Sequence, residues 1–279
     1  MFNTPACSDL EVMCRRLKLT KLSSRLEEFL KAARKAKLAP AQVLEQALQL
    51  EISCREEKRI ELNMNLARFP AIKTLEDFDF SAVPALDRSQ IDELAKLEWL
   101  RNASNVLFLG PPGVGKTHLA LALGRLAVLA GYSTTFIMAT ALLKDLEEGV
   151  AKGTLDSKLM KYAKPKLLII DEIGYLQVKP STAYLFFQVI SNRYERTSII
   201  FTGNRPVSEW GLVFGDPTAT SAILDRALHH CEIVTIRGDS YRMLAKRRAG
   251  LLNSGGIVAA QASEGDVMQA AEALQADVV

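Results

Sequence analysis

Eight consecutive residues have the types and spacing needed to hold nucleotide phosphates. The segment Gly110–Thr117 reads GPPGVGKT, matches G-x-x-x-x-G-K-[ST] in full, and lies between a predicted strand and a predicted helix. Glycines allow backbone N–H groups to approach phosphate oxygens, and the helix adds the positive end of its dipole. We expect Lys116 to reach the β- and γ-phosphates of ATP and the Thr117 hydroxyl to ligate Mg²⁺. The predicted nucleotide-binding residues are Gly110, Pro111, Pro112, Gly113, Val114, Gly115, Lys116, Thr117 and His118.

Two carboxylates follow an apolar run that ends at the same predicted sheet edge. The run LLIIDE (167–172) reads as a strand buried on both faces and ends in Asp171 and Glu172. Asp171 is expected to hold Mg²⁺, directly or through water, and Glu172 to polarise the attacking water. A carboxylate in that position favours a hydrolase over a kinase, which must exclude water.

Two further polar residues are candidates for contact with the γ-phosphate. Asn204 ends the run SIIFTGN, one strand after the carboxylates, and could touch the γ-phosphate or the attacking water. Arg226 in AILDRALHH could be an ordinary surface cation or, in an oligomer, could reach the γ-phosphate of a neighbouring subunit. For His118, His229 and His230 we expect packing or capping roles rather than general-base catalysis.

Five short apolar runs alternate with helical patterns from residue 105 onward. This alternation predicts an α/β fold with a five-stranded parallel sheet covered by helices. The predicted strands begin at Asn105, Ser133, Lys166, Ser198 and Cys231, and the helices between them begin at Lys116, Ala141, Ser181 and Ala219.

A small helical domain is predicted ahead of the sheet. Residues 9–66 show apolar residues at helical spacing, with Pro40 suited to the first turn of a second helix. Residues 15–37 carry nine Lys and Arg against two Glu, which indicates a solvated helix face or a surface for nucleic acid or an acidic partner. The predicted organisation is a helical domain at 1–68, the sheet domain with its lead-in connector at 69–252, and an acidic, flexible tail at 253–279.

Composition excludes several classes of protein. The sequence has no apolar stretch of membrane-spanning length and does not begin with a secretory signal pattern. Its four cysteines form no CxxC pair, so a zinc framework or a disulfide scaffold is not expected. These observations predict a protein of the reducing cytoplasm without a membrane partner.

The order of the motifs resembles a known group of ATPases. GPPGVGKTH, LLIIDE, FTGN and ILDR resemble the AAA+ ATPases of the initiator clade, which includes DnaA and DnaC. Over about residues 15–245 the chain is most similar to the IstB family, transposition helper ATPases of bacterial insertion sequences. The blocks that carry this resemblance include LARFPAIKTLEDFDF, LLIIDEIGYL, LFFQVISNRYERTSIIFTGNRPVSEWGLVFGD and GDSYR.

The resemblance implies a role for each matched position. Gly110–Thr117 would be the Walker A loop, and Asp171 with Glu172 the Walker B pair. Asn204 would be sensor 1, and Arg226 an arginine finger that acts in trans. Arg242 in GDSYR takes a place like that of sensor 2, although the acidic tail begins too soon after it for a full helical lid.

The resemblance also implies a function and partners. The protein would assemble on duplex DNA as a homo-oligomer with ATP between its subunits, select target DNA, and recruit or stimulate the cognate transposase. It would then lie in the bacterial cytoplasm, at the nucleoid when bound to DNA. A replicative helicase loader of the DnaC type shares the same ATPase motifs and is the alternative. A metabolic P-loop kinase and an architectural DNA-bending protein with little turnover are more distant alternatives.

A lysine-rich segment is the predicted contact with DNA. The segment AKGTLDSKLMKYAKPK contains a single acid, Asp156, and no aromatic interleaving of the kind that stacks on single strands. Lysines suit sequence-independent contact with duplex phosphates, while a solvated helix face explains the same pattern. The predicted DNA-binding residues are Lys152, Lys158, Lys161 and Lys164, accompanied by Lys166; a second basic group is Arg242, Lys246, Arg247 and Arg248.

Overall fold

The computed structural model describes residues 7–175, 178–238, 240, 241 and 243. The chain begins with four helices, α1 (Cys7–Arg16), α2 (Thr20–Ser24), α3 (Leu26–Lys35) and α4 (Pro40–Ala67). Proline occupies the first position of α4, where it has no helical N–H bond to lose. The helix ends where Arg68 adopts a left-handed conformation, with φ at 57°.

The first four helices share a small core around α4. Cys14, Leu22, Leu26 and Ala47 are buried there. Glu51 is also buried; its carboxylate accepts hydrogen bonds from the backbone N–H groups of Lys21 and Leu22, at 3.0 and 3.3 Å. These bonds tie α4 to the start of α2.

Part of the apolar pattern on α4 is exposed. Leu44, Leu48 and Ile52 have exposed fractions of 62%, 47% and 49%. The period of 3.6 residues correctly indicates a helix, but these three side chains lie outside the core formed by α1–α4.

A connector and two short helices lead into the sheet. The connector contains a 3₁₀ turn at Phe80–Ala82 and is followed by α5 (Arg88–Ala95) and α6 (Glu98–Arg101). The two helices are separated at Leu97, which adopts φ 61°. Asp87 caps α5 by accepting a hydrogen bond from the N–H of Ser89.

Strands and helices alternate after the connector. The elements are β1 (Asn105–Leu109), α7 (Lys116–Leu129), β2 (Thr134–Met138), α8 (Ala139–Ala151), α9 (Leu155–Ala163), β3 (Leu167–Asp171), α10 (Pro180–Arg193), β4 (Ser198–Gly203), α11 (Trp210–Phe214), α12 (Pro217–Leu228) and β5 (Cys231–Thr235). The five strands are parallel and form one sheet in the order β2-β3-β4-β1-β5. The predicted α/β fold with a five-stranded parallel sheet is therefore confirmed.

Side chains alternate between two cores, one on each face of the sheet. In β1, Val106 and Phe108 join the core beneath α5, α6 and α7, while Leu107 joins the core beneath α8 to α12. Burial on both faces explains why the strands are almost continuously apolar. Among the described residues, no helix combines the length and apolar character required to cross a bilayer.

A buried arginine fastens the edge of the sheet at which the strands begin, called here the amino edge. Arg193, at the end of α10, is only 1% exposed. Its guanidinium donates to four carbonyl oxygens: those of Tyr162 at 2.6 Å, Pro165 at 3.0 Å, Lys166 at 3.4 Å and Ser198 at 2.6 Å. Burial lowers the pKa of Arg193. The side chain joins the end of α10 to the starts of β3 and β4.

Candidate nucleotide-binding and hydrolysis site

The glycine-rich loop runs from the end of β1 to the start of α7, between two segments that contact it closely. Gly113 and Gly115 adopt φ angles of +85° and +96°, which strongly favour glycine. A Cβ on Gly115 would lie 2.5 Å from Phe78 Cε2, and one on Gly113 would lie 2.1 Å from Ser240 Oγ. The loop needs glycine at both positions for its conformation and for its packing.

The Lys116 side chain folds back onto the loop that precedes it. Its Nζ donates to the carbonyl oxygens of Gly110 at 2.8 Å and Pro111 at 2.7 Å. The ammonium group is thereby held beside the backbone that has the pattern of a phosphate-binding loop.

Thr117 and Asp171 meet across the sheet edge at which the strands end, called here the carboxyl edge. The Thr117 hydroxyl donates to Oδ1 and Oδ2 of Asp171 at 2.9 and 3.1 Å, and Asp171 is 3% exposed. Adjacent ligands on a regular Mg²⁺ octahedron lie about 2.9 Å apart, given bonds of about 2.0–2.1 Å. The two oxygen ligands therefore fit a magnesium ion in both type and spacing.

Thr202 links the two carboxylate residues and was not predicted from the sequence. Its hydroxyl donates to Asp171 Oδ1 and accepts a hydrogen bond from the N–H of Glu172 at 3.0 Å. Glu172 is exposed and adopts φ 63°, an unfavourable conformation for a residue with a side chain. A lone hydroxyl near the end of the apolar strand β4 was the only sequence signal for this role.

Asn204 lies beside the turn that follows the carboxylates. Its Oδ1 is buried and has no hydrogen-bond partner among the described residues. A Cβ on Gly174 would lie 1.9 Å from that oxygen, so only glycine leaves room for the amide. Asn204 follows Gly203, whose carbonyl accepts a hydrogen bond from the N–H of Gly110. The structure thus places Asn204 close to both phosphate-site motifs.

A cleft of about 430 Å³ extends from the loop toward the connector. His118 contributes to it, with its Nε2 2.7 Å from the Thr74 carbonyl oxygen and its ring packed edge-on against Phe78. The lining residues are Lys73, Asp77, Phe78, Asp79, Ala82, Val83, Gly113, Val114, Gly115, Lys116, Thr117, His118 and Tyr241.

Arg226 lies apart from all these residues. It sits near the end of α12, donates to Ser191 Oγ in the last turn of α10, and stacks 4.5 Å from the centre of the Phe187 ring. Helix α10 leads into the start of β4, so its last turn, and the contact with Arg226, lie toward the amino edge of the sheet. The glycine-rich loop follows the end of β1 and therefore lies at the opposite, carboxyl edge. The structure does not bring Arg226 to the nucleotide site of its own chain.

The predicted sensor-2-like residue, Arg242, lies outside the described residues, as do Lys246, Arg247, Arg248 and the predicted tail. The adjacent described residue, Tyr241, donates its backbone N–H to the Gly113 carbonyl at 3.0 Å. The chain after β5 therefore returns to the glycine-rich loop.

The lysine-rich segment has more acidic neighbours than the sequence suggested. Lys158 and Lys161 both pair with Asp145 of α8, and Lys152 pairs with Glu148 of the same helix. Burial opposes ionisation of Asp145, but Lys158, Tyr162 and Lys161 outweigh it and hold the pKa of that carboxyl well below its ordinary range. The segment itself contains only Asp156, but helix packing adds carboxylates from α8.

Lys164 and Lys166 differ from these paired lysines. Lys164 is exposed at the end of α9, and no acidic partner is found for it among the described residues. The Lys166 ammonium donates to the Arg196 carbonyl oxygen at 3.2 Å. The basic surface is thus smaller than the row of lysines in the sequence.

Comparisons with known proteins agree with the motifs and the fold. A family model described as IstB-like ATP binding protein matches residues 12–249. The chain is 43% identical over 244 residues to the ATP-binding protein of insertion sequence IS21 from Pseudomonas aeruginosa, which covers 88% of this chain and 92% of that protein. It is 41% identical over 234 residues to its counterpart in IS5376 from Geobacillus stearothermophilus, which covers 84% and 93%.

Solved structures resemble the chain over a smaller part of their length. AMPPCP-bound DnaA from Aquifex aeolicus has a TM-score of 0.52 and 25% identity, covering 67% of this chain and 57% of that one. A DNA replication initiation factor has a TM-score of 0.51 and 27% identity, covering 64% and 54%. The loop and strand-end carboxylates, together with this similarity along most of the chain, show that the protein is an AAA+ ATPase and belongs to the IstB-like ATP-binding family of insertion sequences.

Proposed function

We propose that this ATPase is the ATP-dependent switch of a transposition system. It assembles as a homo-oligomer on duplex DNA, selects target DNA, and recruits or stimulates the cognate transposase. The observation that carries the proposal is the separation of Arg226 from its own nucleotide site. A cation placed there completes a hydrolytic site only in a neighbouring subunit.

In the proposed site each side chain has a separate task. Lys116 exchanges its carbonyl contacts for the β- and γ-phosphate oxygens. Thr117 and Asp171 hold Mg²⁺, which neutralises charge on the β- and γ-phosphates when it is bound. Glu172 polarises the attacking water, and Asn204 offers its buried amide to that water or to the γ-phosphate.

The proposed contact with DNA depends on the lysines that are least engaged by acids. Lys164 is exposed without an acidic partner among the described residues, and Lys152 forms only an exposed pair with Glu148. Exposed pairs of this kind are worth at most about 1 kcal/mol, so phosphate can replace the carboxylate. Assembly aligns many such weak contacts, and their affinities multiply.

The helices of the predicted domain 1–68 are proposed to contact the transposase or a neighbouring subunit. Leu44, Leu48 and Ile52 expose an apolar face on α4. Exposed apolar faces of this kind are common at protein interfaces. The sheet domain, predicted at 69–252, would then retain the nucleotide site and the DNA contacts.

Mixing two inactive variants tests whether the hydrolytic site is shared. Glu172→Gln removes the proposed water-polarising carboxylate but keeps ATP binding and Arg226, and Arg226→Ala removes the proposed finger, so each variant alone should hydrolyse little ATP. In a mixed oligomer some Arg226→Ala subunits receive a finger from a Glu172→Gln neighbour. Random mixing in equal amounts restores about a quarter of the complete interfaces. Phosphate release that stays at the level of the separate variants rules out a shared site.

A second experiment tests the switch. Glu172→Gln should bind ATP without hydrolysing it and hold the DNA-bound assembly, whereas Lys116→Ala should prevent assembly. Gel filtration with ATP and duplex DNA distinguishes the two, and equal DNA binding by both variants contradicts the proposal. Pull-down against the transposase, with a replicative helicase as the comparison, then identifies the partner.

A further inference from the structure

Two histidines and a glutamate converge at the amino edge of the sheet, away from the nucleotide site. Glu195 lies in the turn after α10, and His229 and His230 connect α12 to β5. One possible ligand atom from each residue lies within 4.8 Å of the other two. All three residues are exposed, so ions in solution can reach them. None of them has a task in the proposed hydrolysis.

A neighbouring tyrosine orients one of the histidines. The Tyr194 hydroxyl oxygen lies 2.8 Å from His229 Nδ1, and the centres of the two rings are 5.8 Å apart. In the tautomer in which Nδ1–H donates to the hydroxyl oxygen, Nε2 keeps the lone pair that a metal requires. A hydrogen bond on the second ring nitrogen is the usual arrangement for histidines that bind metals.

The backbone at His230 is hydrogen-bonded to the start of β1: its carbonyl accepts from the N–H of Asn105 at 2.7 Å. The centres of the His229 and His230 rings lie 4.0 Å apart, so the two imidazoles are already neighbours.

We propose that Glu195, His229 and His230 bind Zn²⁺ or a related divalent transition-metal ion. Two imidazoles and one carboxylate suit such ions, with water completing the coordination. Zinc bonds of about 2.0–2.2 Å place tetrahedral ligands roughly 3.4 Å apart, so ligand atoms up to 4.8 Å apart close by about 1.4 Å. Rotation of exposed side chains supplies a movement of this size.

The proposed metal site lies beside Arg226. Glu195, His230 and Arg226 line the same small cavity. An ion held between Glu195 and the histidines fastens the end of α10 to the end of α12. Arg226 bridges the same two helices through Ser191 and Phe187. Metal binding therefore stabilises the part of the chain that positions Arg226.

Direct titration tests the site without nucleotide or DNA, so its result does not depend on the proposed function. Full-length protein without a histidine tag is titrated with Zn²⁺ against a chromogenic chelator, and thermal melting is followed with and without the ion. We expect one equivalent of Zn²⁺ per chain and a higher Tm in its presence. The double variant His229→Ala, His230→Ala should lose both, while circular dichroism verifies that it remains folded.

Three single variants make the test specific. Glu195→Gln should weaken zinc binding at least about tenfold, and Tyr194→Phe should weaken it less, since it removes only the orienting hydrogen bond. The matched control His118→Asn removes the remaining histidine of the chain and should still bind one equivalent of Zn²⁺. The proposal is overturned if the wild type binds no zinc at about 100 µM, a concentration that detects even weak sites. It is also overturned if Glu195→Gln and the double variant bind zinc as well as the wild type.

Discussion

The carboxyl and amino edges of the sheet carry different kinds of polar groups. At the carboxyl edge, hydrogen bonds link Thr117, Asp171, Thr202 and Glu172 within one chain. At the amino edge, Arg226 rests on Ser191 and Phe187, with its guanidinium engaged only by α10 among the described contacts.

This difference suggests how activity can depend on assembly. In the proposed mechanism, the groups that bind ATP and orient water all lie at the carboxyl edge of one subunit. The cation proposed to stabilise the transition state, Arg226, lies at the other edge. In the proposed assembly, joining the amino edge of one subunit to the carboxyl edge of the next couples hydrolysis to oligomer formation.

The largest expected effect comes from removing the charge at Arg226. Arg226→Met keeps an unbranched side chain against Phe187 and removes the guanidinium. We expect ATP turnover of the DNA-bound assembly to fall by about 10³-fold, at the lower end of the effect known for arginine fingers. ATP binding, measured with a fluorescent nucleotide, should change little. The control is Arg196→Met, at an exposed arginine near the same edge. Unchanged turnover in Arg226→Met would mean that the Arg226 guanidinium at the amino edge has no part in hydrolysis.

The next effect is on stability, and it tests whether the amino edge is also structural. Arg193→Met removes the guanidinium donor of four carbonyl oxygens, although the Lys166 carbonyl keeps its hydrogen bond from the N–H of Ser198. Because an unsatisfied buried group costs about 1–3 kcal/mol and burying the charge is itself costly, we expect a net loss of about 3 kcal/mol in the free energy of unfolding. Urea denaturation measures it. Arg196→Met again serves as the control and should remain within about 0.5 kcal/mol of the wild type.

A smaller effect is expected at the carboxyl edge, from the hydroxyl that joins the two carboxylate residues. Thr202→Val keeps the shape but removes the donor to Asp171 and the acceptor for Glu172 N–H. Loss of such a supporting bond costs about 10–100-fold in activity at metal sites. Steady-state phosphate release should show this as a lower kcat.

The same strand region offers a matched control for Thr202. Thr197, just before β4, has a buried hydroxyl with no hydrogen-bond partner among the described residues. Thr197→Val should therefore leave kcat unchanged. Equal losses in both variants would mean that Thr202 acts through packing rather than through Asp171 and Glu172.

Contiguous motifs allowed much of the carboxyl edge to be predicted from the sequence. Gly110–Thr117 and the Asp171–Glu172 pair are each read within a few residues, because strand and helix periods fix their surroundings. The same periods predicted five parallel strands, which the structure confirms. Thr202 was missed because its partners are about 30 residues away in the chain.

Contacts between distant segments explain the other differences between the structure and the expectations from sequence. The lysine cluster looked almost free of acids because Asp145 lies on the preceding helix, 13 residues before Lys158. Arg193 gave no signal as a buried residue, since its four acceptors are backbone carbonyls. The exposure of Leu44 on α4 was equally hidden, because an apolar period marks a face without showing what covers it.

The smallest predicted effect is on kcat and tests the role of Asn204. Gly174→Ala places a Cβ 1.9 Å from Asn204 Oδ1, so the amide must move. A displacement of about 1 Å can cost up to 10²-fold in rate, and because one amide is only one of several groups here we expect about tenfold lower kcat. Gly203→Ala is the control beside Asn204, since its Cβ would find only ordinary contacts at 3.6 Å or more. The decisive comparison is made in an Asn204→Ala background. With the amide gone, Gly174→Ala should have almost no further effect; if it still lowers kcat tenfold, the glycine acts through the turn itself and Asn204 is not the group it protects.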